Sequence, residues 1–88
     1  MKETIVAAAV QLDGVTFSLP RPARHAQVLF CLYDWFGDRH IARMTQGFLT
    51  SEGRFVNRVQ AKHIAHIAGQ EIIRDDPHET QAFSEDFW

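Results

Sequence analysis

The stretch IVAAAVQLDGVTFSL, residues 5–19, decides the first half of the fold. The pair Asp13-Gly14 is typical of a two-residue turn between antiparallel strands. With this turn, three pairs of apolar residues face each other: Leu12 with Val15, Val10 with Phe17, and Ala8 with Leu19. The turn and the apolar alternation therefore predict the same β-hairpin, with one apolar face.

A helix is predicted next, over residues 23–36. Pro22 suits the first turn of a helix, and Gly37 provides a C-terminal stop. The apolar residues at helical spacing are Val28, Leu29, Leu32, Tyr33 and Phe36. Phe30, Cys31 and Trp35 widen this stripe beyond one face. The helix is therefore either the central helix of the domain or one whose second face contacts another subunit.

A second hairpin and helix follow a basic, irregular connection at 38–46. Strands are predicted at 47–50 and 54–56, because Gly53 can adopt the left-handed conformation that their loop needs. Asn57 suits the N-cap of a helix that ends at Gly69, and residues 70–74 are predicted to form a fifth strand. The order ββαββαβ indicates an α+β fold, with both helices on one face of a mainly antiparallel sheet.

The composition indicates one domain covering residues 1–88. The chain is 45% hydrophobic and 23% charged, which is typical of a folded domain. Its one cysteine, Cys31, excludes an internal disulfide and a cysteine-based zinc site. No signal-peptide pattern is present, and no apolar run approaches the roughly 20 residues that cross a membrane. We therefore expect a cytoplasmic protein without membrane contact.

The formal net charge of −2 conceals an uneven distribution. Residues 39–62 carry a net charge of +4, and residues 71–88 carry −5. General binding of duplex DNA is not expected, because neutralising phosphates needs an excess of clustered Lys and Arg. We expect the acidic and aromatic tail, residues 76–88, to pack back on the basic region, with Trp88 packed and not free.

The block QGFLTSEGRFVNRVQA, residues 46–61, resembles the GFLTS-x-GRFV-x-R motif of a family of small phage and prophage accessory proteins. Arg24-His25 is similar to an Arg-His pair in that family, and residues 84–88, SEDFW, resemble its SED-[LF]-W ending. Family members often carry an acid at the position of Asn57, and both residue types cap helices. The resemblance implies an accessory protein in an infected or lysogenic bacterium. Such proteins commonly act against host defences.

A candidate ligand site surrounds the second hairpin and the start of the next helix. A helix N-terminus, two hydroxyl groups and two guanidinium groups suit phosphate, and aromatic rings can stack on a base. Arg24-His25 would complete this pocket, and Trp88 would close it as a lid. The predicted ligand-binding residues are Arg24, His25, Phe48, Thr50, Ser51, Arg54, Arg58 and Trp88. The alternative interpretation is structural, with these arginines paired to the acidic tail through residues such as Glu85 and Asp86.

Neither a metal site nor a catalytic set is predicted. His63 and His66 have a metal-binding spacing, but the sequence does not fix a third ligand, although His25, His40, His78 and Glu71 are present, so exposed helix histidines are favoured. Cys31 lies in an apolar helix and favours an inert core thiol. No cofactor and no enzymatic activity are expected, because no nucleophile, base and orienting group come together.

These features predict a non-catalytic counter-defence protein that binds and sequesters a nucleotide-derived host immune signal. We expect a homo-oligomer formed through the first helix, because so small a chain cannot enclose a ligand alone. One alternative is an inhibitor of anti-CRISPR type, which binds a host defence complex through its acidic tail. A second alternative is a small DNA-associated phage factor.

Overall fold

Four antiparallel strands form one sheet in the computed structural model, which describes residues 2–37, 40 and 43–88. The strands are β1 (Ile5–Leu12), β2 (Val15–Ser18), β3 (Met44–Thr50) and β4 (Phe55–Asn57), and their spatial order is β2-β1-β3-β4. The helices are α1 (His25–Phe36) and α2 (Arg58–Ala68), followed by a 3-10 turn at Ser84–Asp86. The predicted α+β class is confirmed.

The first hairpin has the predicted turn and register. Asp13 and Gly14 have φ angles of +50° and +81°, as a two-residue turn of this type requires. Val15 lies opposite Leu12, and Phe17 lies opposite Val10. β2 ends at Ser18, one residue before the predicted partner of Ala8, so this last pair is not part of the ladder.

α1 begins two residues later than predicted. Arg24 is its N-cap, and the Arg24 N–H donates to the Gln27 side chain. Pro22 therefore lies before the helix and not in its first turn. It belongs to a turn in which the Ala23 N–H donates to the Pro20 carbonyl at 3.1 Å. At the other end, the Gly37 N–H donates to the Tyr33 carbonyl at 2.8 Å, which confirms the predicted stop.

The second hairpin and α2 follow the local signals in the sequence. Gly53 has a φ of +80°, and Asn57 caps α2 by accepting the Gln60 N–H at 2.7 Å. β3 begins earlier than predicted, at Met44, because its first residues pair with the end of β1. Of the predicted irregular connection, residues 38, 39, 41 and 42 lie outside the described residues.

The predicted fifth strand is wrong, because residues 70–74 form no strand. The side-chain amide of Gln70 takes the place of a neighbouring backbone: it accepts the Ile5 N–H and donates to the Ile5 carbonyl, both at 2.8 Å. Further on, the Ile73 N–H donates to the Asp86 carbonyl at 2.7 Å. The Gln70 side chain therefore provides hydrogen-bond partners for both backbone groups of Ile5 at the start of β1, and no additional strand is needed there.

The core consists of two clusters on one face of the sheet. One cluster lies between α2, the sheet and the tail, and its buried residues are Ile5, Phe48, Val56, Ala61, Ala65, Ala82 and Phe87. The other lies between α1 and the sheet, and its buried residues are Val10, Val28 and Leu32. Phe48 lies opposite Ala8, which is two residues from Val10, so both clusters share a face. The prediction that both helices cover the same face is confirmed.

Gly47 allows the two strands of the second hairpin to approach closely. A Cβ atom at this position would collide with the Val56 carbonyl oxygen and would lie 2.6 Å from the Phe55 ring. The Phe55 ring therefore covers the backbone of β3 at this residue. Only glycine leaves room for this contact.

Candidate functional site

Glu3 binds two residues of the predicted phosphate-binding segment, residues 50–58. The Arg54 guanidinium donates two hydrogen bonds of 2.7 Å to the Glu3 carboxylate, and the Thr50 hydroxyl donates a third at 2.6 Å. These hydrogen bonds lower the pKa of Glu3, whose side chain is only 14% exposed. Ser51 is engaged nearby, because its hydroxyl accepts the Thr4 N–H at 2.9 Å. A carboxylate of the chain itself thus occupies the position expected for a phosphate.

Glu3 is a partner of Arg54 and Thr50 that the sequence interpretation missed. The structural alternative paired the arginines of this segment with the acidic tail, but the partner of Arg54 lies 51 residues earlier in the chain. The available signal was that Glu3 precedes β1, and β1 pairs with the strand that ends at Thr50.

Arg58 joins the start of α2 to the tail. Its guanidinium donates to the Ala82 carbonyl at 2.9 Å and to the Gln46 side-chain oxygen at 2.5 Å. The guanidinium carbon also lies 4.8 Å from the centre of the Phe83 ring. Burial lowers the pKa of Arg58. Its partners are a carbonyl, an amide and an aromatic ring, so it serves here as a structural clamp.

Arg24 and Trp88 hold the tail against the start of α1. The Arg24 guanidinium donates to the main-chain oxygen of Trp88 at 2.6 Å and lies 3.6 Å from the Glu85 carboxylate. The Trp88 indole N–H donates to the Ala23 carbonyl at 3.2 Å. The Trp88 ring also lies in the aromatic cluster of Phe48 and Phe87. The structure thus brings Arg24 and Trp88 together, as parts of one contact.

His25 and Phe48 lie in the interior beneath this contact. The His25 Nε2–H donates to the Gly47 carbonyl at 2.5 Å, and its ring meets Phe48 edge to face at 4.9 Å. Burial lowers the pKa of His25, with a smaller decrease from Arg58 and opposing effects from Gly47 and Glu85. Phe48 is fully buried, so its ring packs against Phe87 and not against a base.

Arg21 is an exposed cation that contacts the tail. Its guanidinium carbon lies 4.7 Å from the centre of the Trp88 ring, and the side chain is exposed. It has no acidic partner within residues 2–37, 40 and 43–88. A groove of about 540 Å³ adjoins it, lined also by Val6, Ala7, Ser18, Leu19, Pro20 and Leu49. An apolar groove with a free cation at its edge can hold a small organic anion.

Three aromatic side chains of α1 are exposed: Phe30 and Tyr33 on one flank of the helix, and Trp35 on the other. Their exposed fractions are 76%, 51% and 66%, respectively. A groove of about 360 Å³ runs between α1 and β2, and Phe17, Cys31 and Trp35 contribute to its lining. Cys31 is thus partly accessible and does not lie in the core.

One of the two histidines of α2, His66, has a partner other than a metal. His66 Nε2 lies 3.3 Å from the Asp75 carboxylate, and Lys62 Nζ lies 3.8 Å from the same group. The described part of the chain contains no cluster of three or more metal-binding side chains. Within it, no helix has both the length and the apolar character needed to cross a membrane.

The fold defines a small α+β domain in which a four-stranded antiparallel sheet carries two helices on one face. The model of the phage T4 y16D protein family matches residues 4–88, so the chain belongs to this family. The expectation of a small phage protein family is thereby confirmed. No curated protein and no solved structure matches the chain.

Proposed function

We propose that this protein is a non-catalytic counter-defence protein, which acts in the cytoplasm of the phage host by sequestering a nucleotide-derived immune signal at Arg21. Membership of a phage family provides the biological setting. The observation that carries the proposal is the Arg21 guanidinium, which is exposed, lies against Trp88 and adjoins an apolar groove.

The chemistry of this groove suits a nucleotide. The groove has a volume of about 540 Å³ and is open to solvent, so it can contact one side of a nucleotide. The guanidinium carbon of Arg21 lies 4.7 Å from the centre of the Trp88 ring, and a cation–π contact of this kind uses none of the N–H donors that a phosphate would need. The apolar side chains of Leu19 and Leu49 line the groove and provide a surface for a base.

The proposal places the anion at Arg21 and not at residues 50–58. A phosphate beside Arg54 would have to displace the Glu3 carboxylate, which already accepts two hydrogen bonds from this guanidinium. Arg24 and Trp88 keep a role in the proposed site. Arg24 binds the main-chain oxygen of Trp88, and this contact holds the Trp88 ring against the Arg21 guanidinium.

Calorimetric titration with cyclic oligonucleotides and ADP-ribose derivatives tests this proposal. We expect at least one of these ligands to bind the wild type, and Arg21→Ala to weaken it about tenfold or more, since charge-assisted hydrogen bonds contribute about 1.5–3 kcal/mol each. The matched control is Arg74→Ala, which removes another exposed arginine. Absence of binding by a folded sample, or equal binding by Arg21→Ala, contradicts the proposal.

A second measurement identifies the ligand directly. The protein is expressed beside an active defence system and purified, and small molecules released on denaturation are analysed by mass spectrometry. We expect a nucleotide with the wild type and none with Arg21→Ala. Recovery of the same nucleotide from both proteins would place the site elsewhere.

The inhibitor alternative relied on free carboxylates in the tail. Glu85 is paired with Arg24 and accepts the Ser84 hydroxyl, and Asp86 accepts the Phe83 N–H at 2.8 Å. These carboxylates therefore stabilise the tail itself. No specific observation favours this alternative or the DNA-associated one. Stable co-purification with a host defence complex would revive the former.

A further inference from the structure

The groove beside Arg21 contains one charged side chain, that of Arg21 itself. In the described chain its remaining lining consists of apolar residues and one hydroxyl group: Val6, Ala7, Ser18, Leu19, Pro20 and Leu49. The Arg21 side chain is exposed, and its guanidinium carbon lies 4.7 Å from the centre of the Trp88 ring. The groove can therefore balance one negative charge. A second negative charge in it would lie against apolar side chains.

The neighbouring cation, Arg24, is already engaged. Its guanidinium donates to the main-chain oxygen of Trp88 at 2.6 Å and lies 3.6 Å from the Glu85 carboxylate. The charges of Arg24 and Glu85 cancel, so this pair adds nothing to the charge of Arg21. Turning Arg24 towards a ligand would break its contact with Trp88, and this contact holds the ring against Arg21. The described residues around the groove therefore provide a net charge of one cation.

This charge balance distinguishes two ways in which a nucleotide carries its phosphates. In a phosphodiester chain each phosphate carries one negative charge, and the next phosphate lies one nucleotide away. In a diphosphate the two charges lie on adjacent phosphates. A diphosphate at Arg21 would leave one of its charges without a cation, close to Leu19 and Leu49. A charge beside apolar groups is costly unless it is paired, so the groove favours the phosphodiester.

The shape of the groove suits one unit of a larger ligand. Because the groove is open to solvent, it can contact one nucleotide unit while the remaining units and their charges stay in water. We propose that the Arg21 site binds one phosphodiester unit of a cyclic oligonucleotide and discriminates against the diphosphate of ADP-ribose. The inference rests on the proposed function, and it selects one of the two ligand classes with which that function is tested.

Calorimetric titration of the full chain with cyclic di-AMP and with ADP-ribose tests this selection. Both probes contain adenine and carry the same total charge, so they differ chiefly in the spacing of their phosphates. We expect cyclic di-AMP to bind the wild type about tenfold more tightly than ADP-ribose or better, which exceeds the roughly twofold statistical advantage of its two equivalent units. Arg21→Ala should weaken the binding of cyclic di-AMP about tenfold or more, since it removes the cation.

A second cation in the groove should weaken the selection. Ser18 is exposed, carries no charge and lines the groove, so Ser18→Arg adds a partner for the second phosphate. We expect this variant to bind ADP-ribose about tenfold more tightly than the wild type does, with a smaller change for cyclic di-AMP. The matched control is Thr16→Arg. Thr16 is exposed on the same face of β2, but it lines the groove between α1 and β2, so the ratio of the two affinities should stay unchanged.

Circular dichroism establishes that each variant is folded, and if Ser18→Arg is not, the two titrations of the wild type decide. Binding of ADP-ribose as tight as that of cyclic di-AMP, with both weakened by Arg21→Ala, overturns the inference and keeps the site at Arg21. Equal effects of Ser18→Arg and Thr16→Arg on the ratio also overturn it. If neither probe binds the folded wild type, or Arg21→Ala binds both as the wild type does, the inference and the proposed function are overturned together.

Discussion

Replacing Phe87 with alanine tests whether the tail is part of the core. The Phe87 side chain is 6% exposed, and its ring lies 5.4 Å from the ring of Phe48. Phe48 also contacts His25, so this pair connects the tail to the start of α1. Removing the ring leaves a cavity between the sheet and the tail.

The expected cost follows from the buried area. A phenyl ring that buries about 200 Å² contributes up to about 5 kcal/mol, and measured Phe→Ala changes in cores cost about 3–5 kcal/mol. The lower value applies here, because Phe87 follows a short 3-10 turn that can collapse into part of the space. Phe87→Ala should therefore lower the free energy of unfolding by about 3 kcal/mol, a substantial share of the roughly 5–15 kcal/mol of a domain.

Urea unfolding at one fixed protein concentration measures this cost. The control is Ile67→Ala, which truncates an exposed residue and should change the free energy by less than about 0.5 kcal/mol. Hydrogen exchange provides a local readout, because the Ile73 N–H donates to the Asp86 carbonyl and should lose protection when the tail detaches. A Phe87→Ala protein within about 1 kcal/mol of the wild type would refute the role of the tail in the core.

Three further changes test individual contacts. Gly47→Ala should destabilise the protein by about 2 kcal/mol or more in urea unfolding, because the new Cβ meets the Val56 carbonyl; an unchanged midpoint would contradict this close approach. Gln70→Leu should cost about 1–3 kcal/mol and expose the Ile5 amide to hydrogen exchange, since that N–H loses its acceptor. Burial lowers the pKa of His25, so folding favours its neutral form. The contribution of His25 to the free energy of unfolding is therefore complete above the ordinary histidine pKa of about 6.5, and it is lost as the pH falls through the lowered pKa of the folded state. NMR titration measures this pKa, and His25→Phe should remove this pH dependence while His63→Ala keeps it.

Much of the fold was predictable because its signals are local. The Asp13-Gly14 turn, the Asn57 cap and the left-handed Gly53 each depend on the conformational preferences of a few neighbouring residues. The apolar spacing then placed the helices on the sheet. The fifth strand failed because a suitable local pattern does not ensure a backbone partner. The Gln70 side chain had already filled that position beside Ile5.

The candidate site was less predictable, because polar side chains are claimed by partners that are distant in sequence. Arg54 and Thr50 suit phosphate by residue type, yet both donate to Glu3. Phe48 suits base stacking, yet it is buried in the core. Arg21 was not among the predicted ligand-binding residues. Its contact with Trp88 forms only when the tail folds over the start of α1, and these two residues are 67 positions apart in the sequence.

Residue order alone thus specifies the turns, the caps and the apolar stripes of this protein, because each arises within one or two turns of backbone. Tertiary packing alone selects which cations keep free donors and which aromatic rings stay exposed. The physical reason is competition: a guanidinium or a ring binds the best partner within reach, and the folded chain determines what is within reach. Arg54 binds Glu3, Phe48 is buried in the core, and Phe30 is exposed on the outer side of α1.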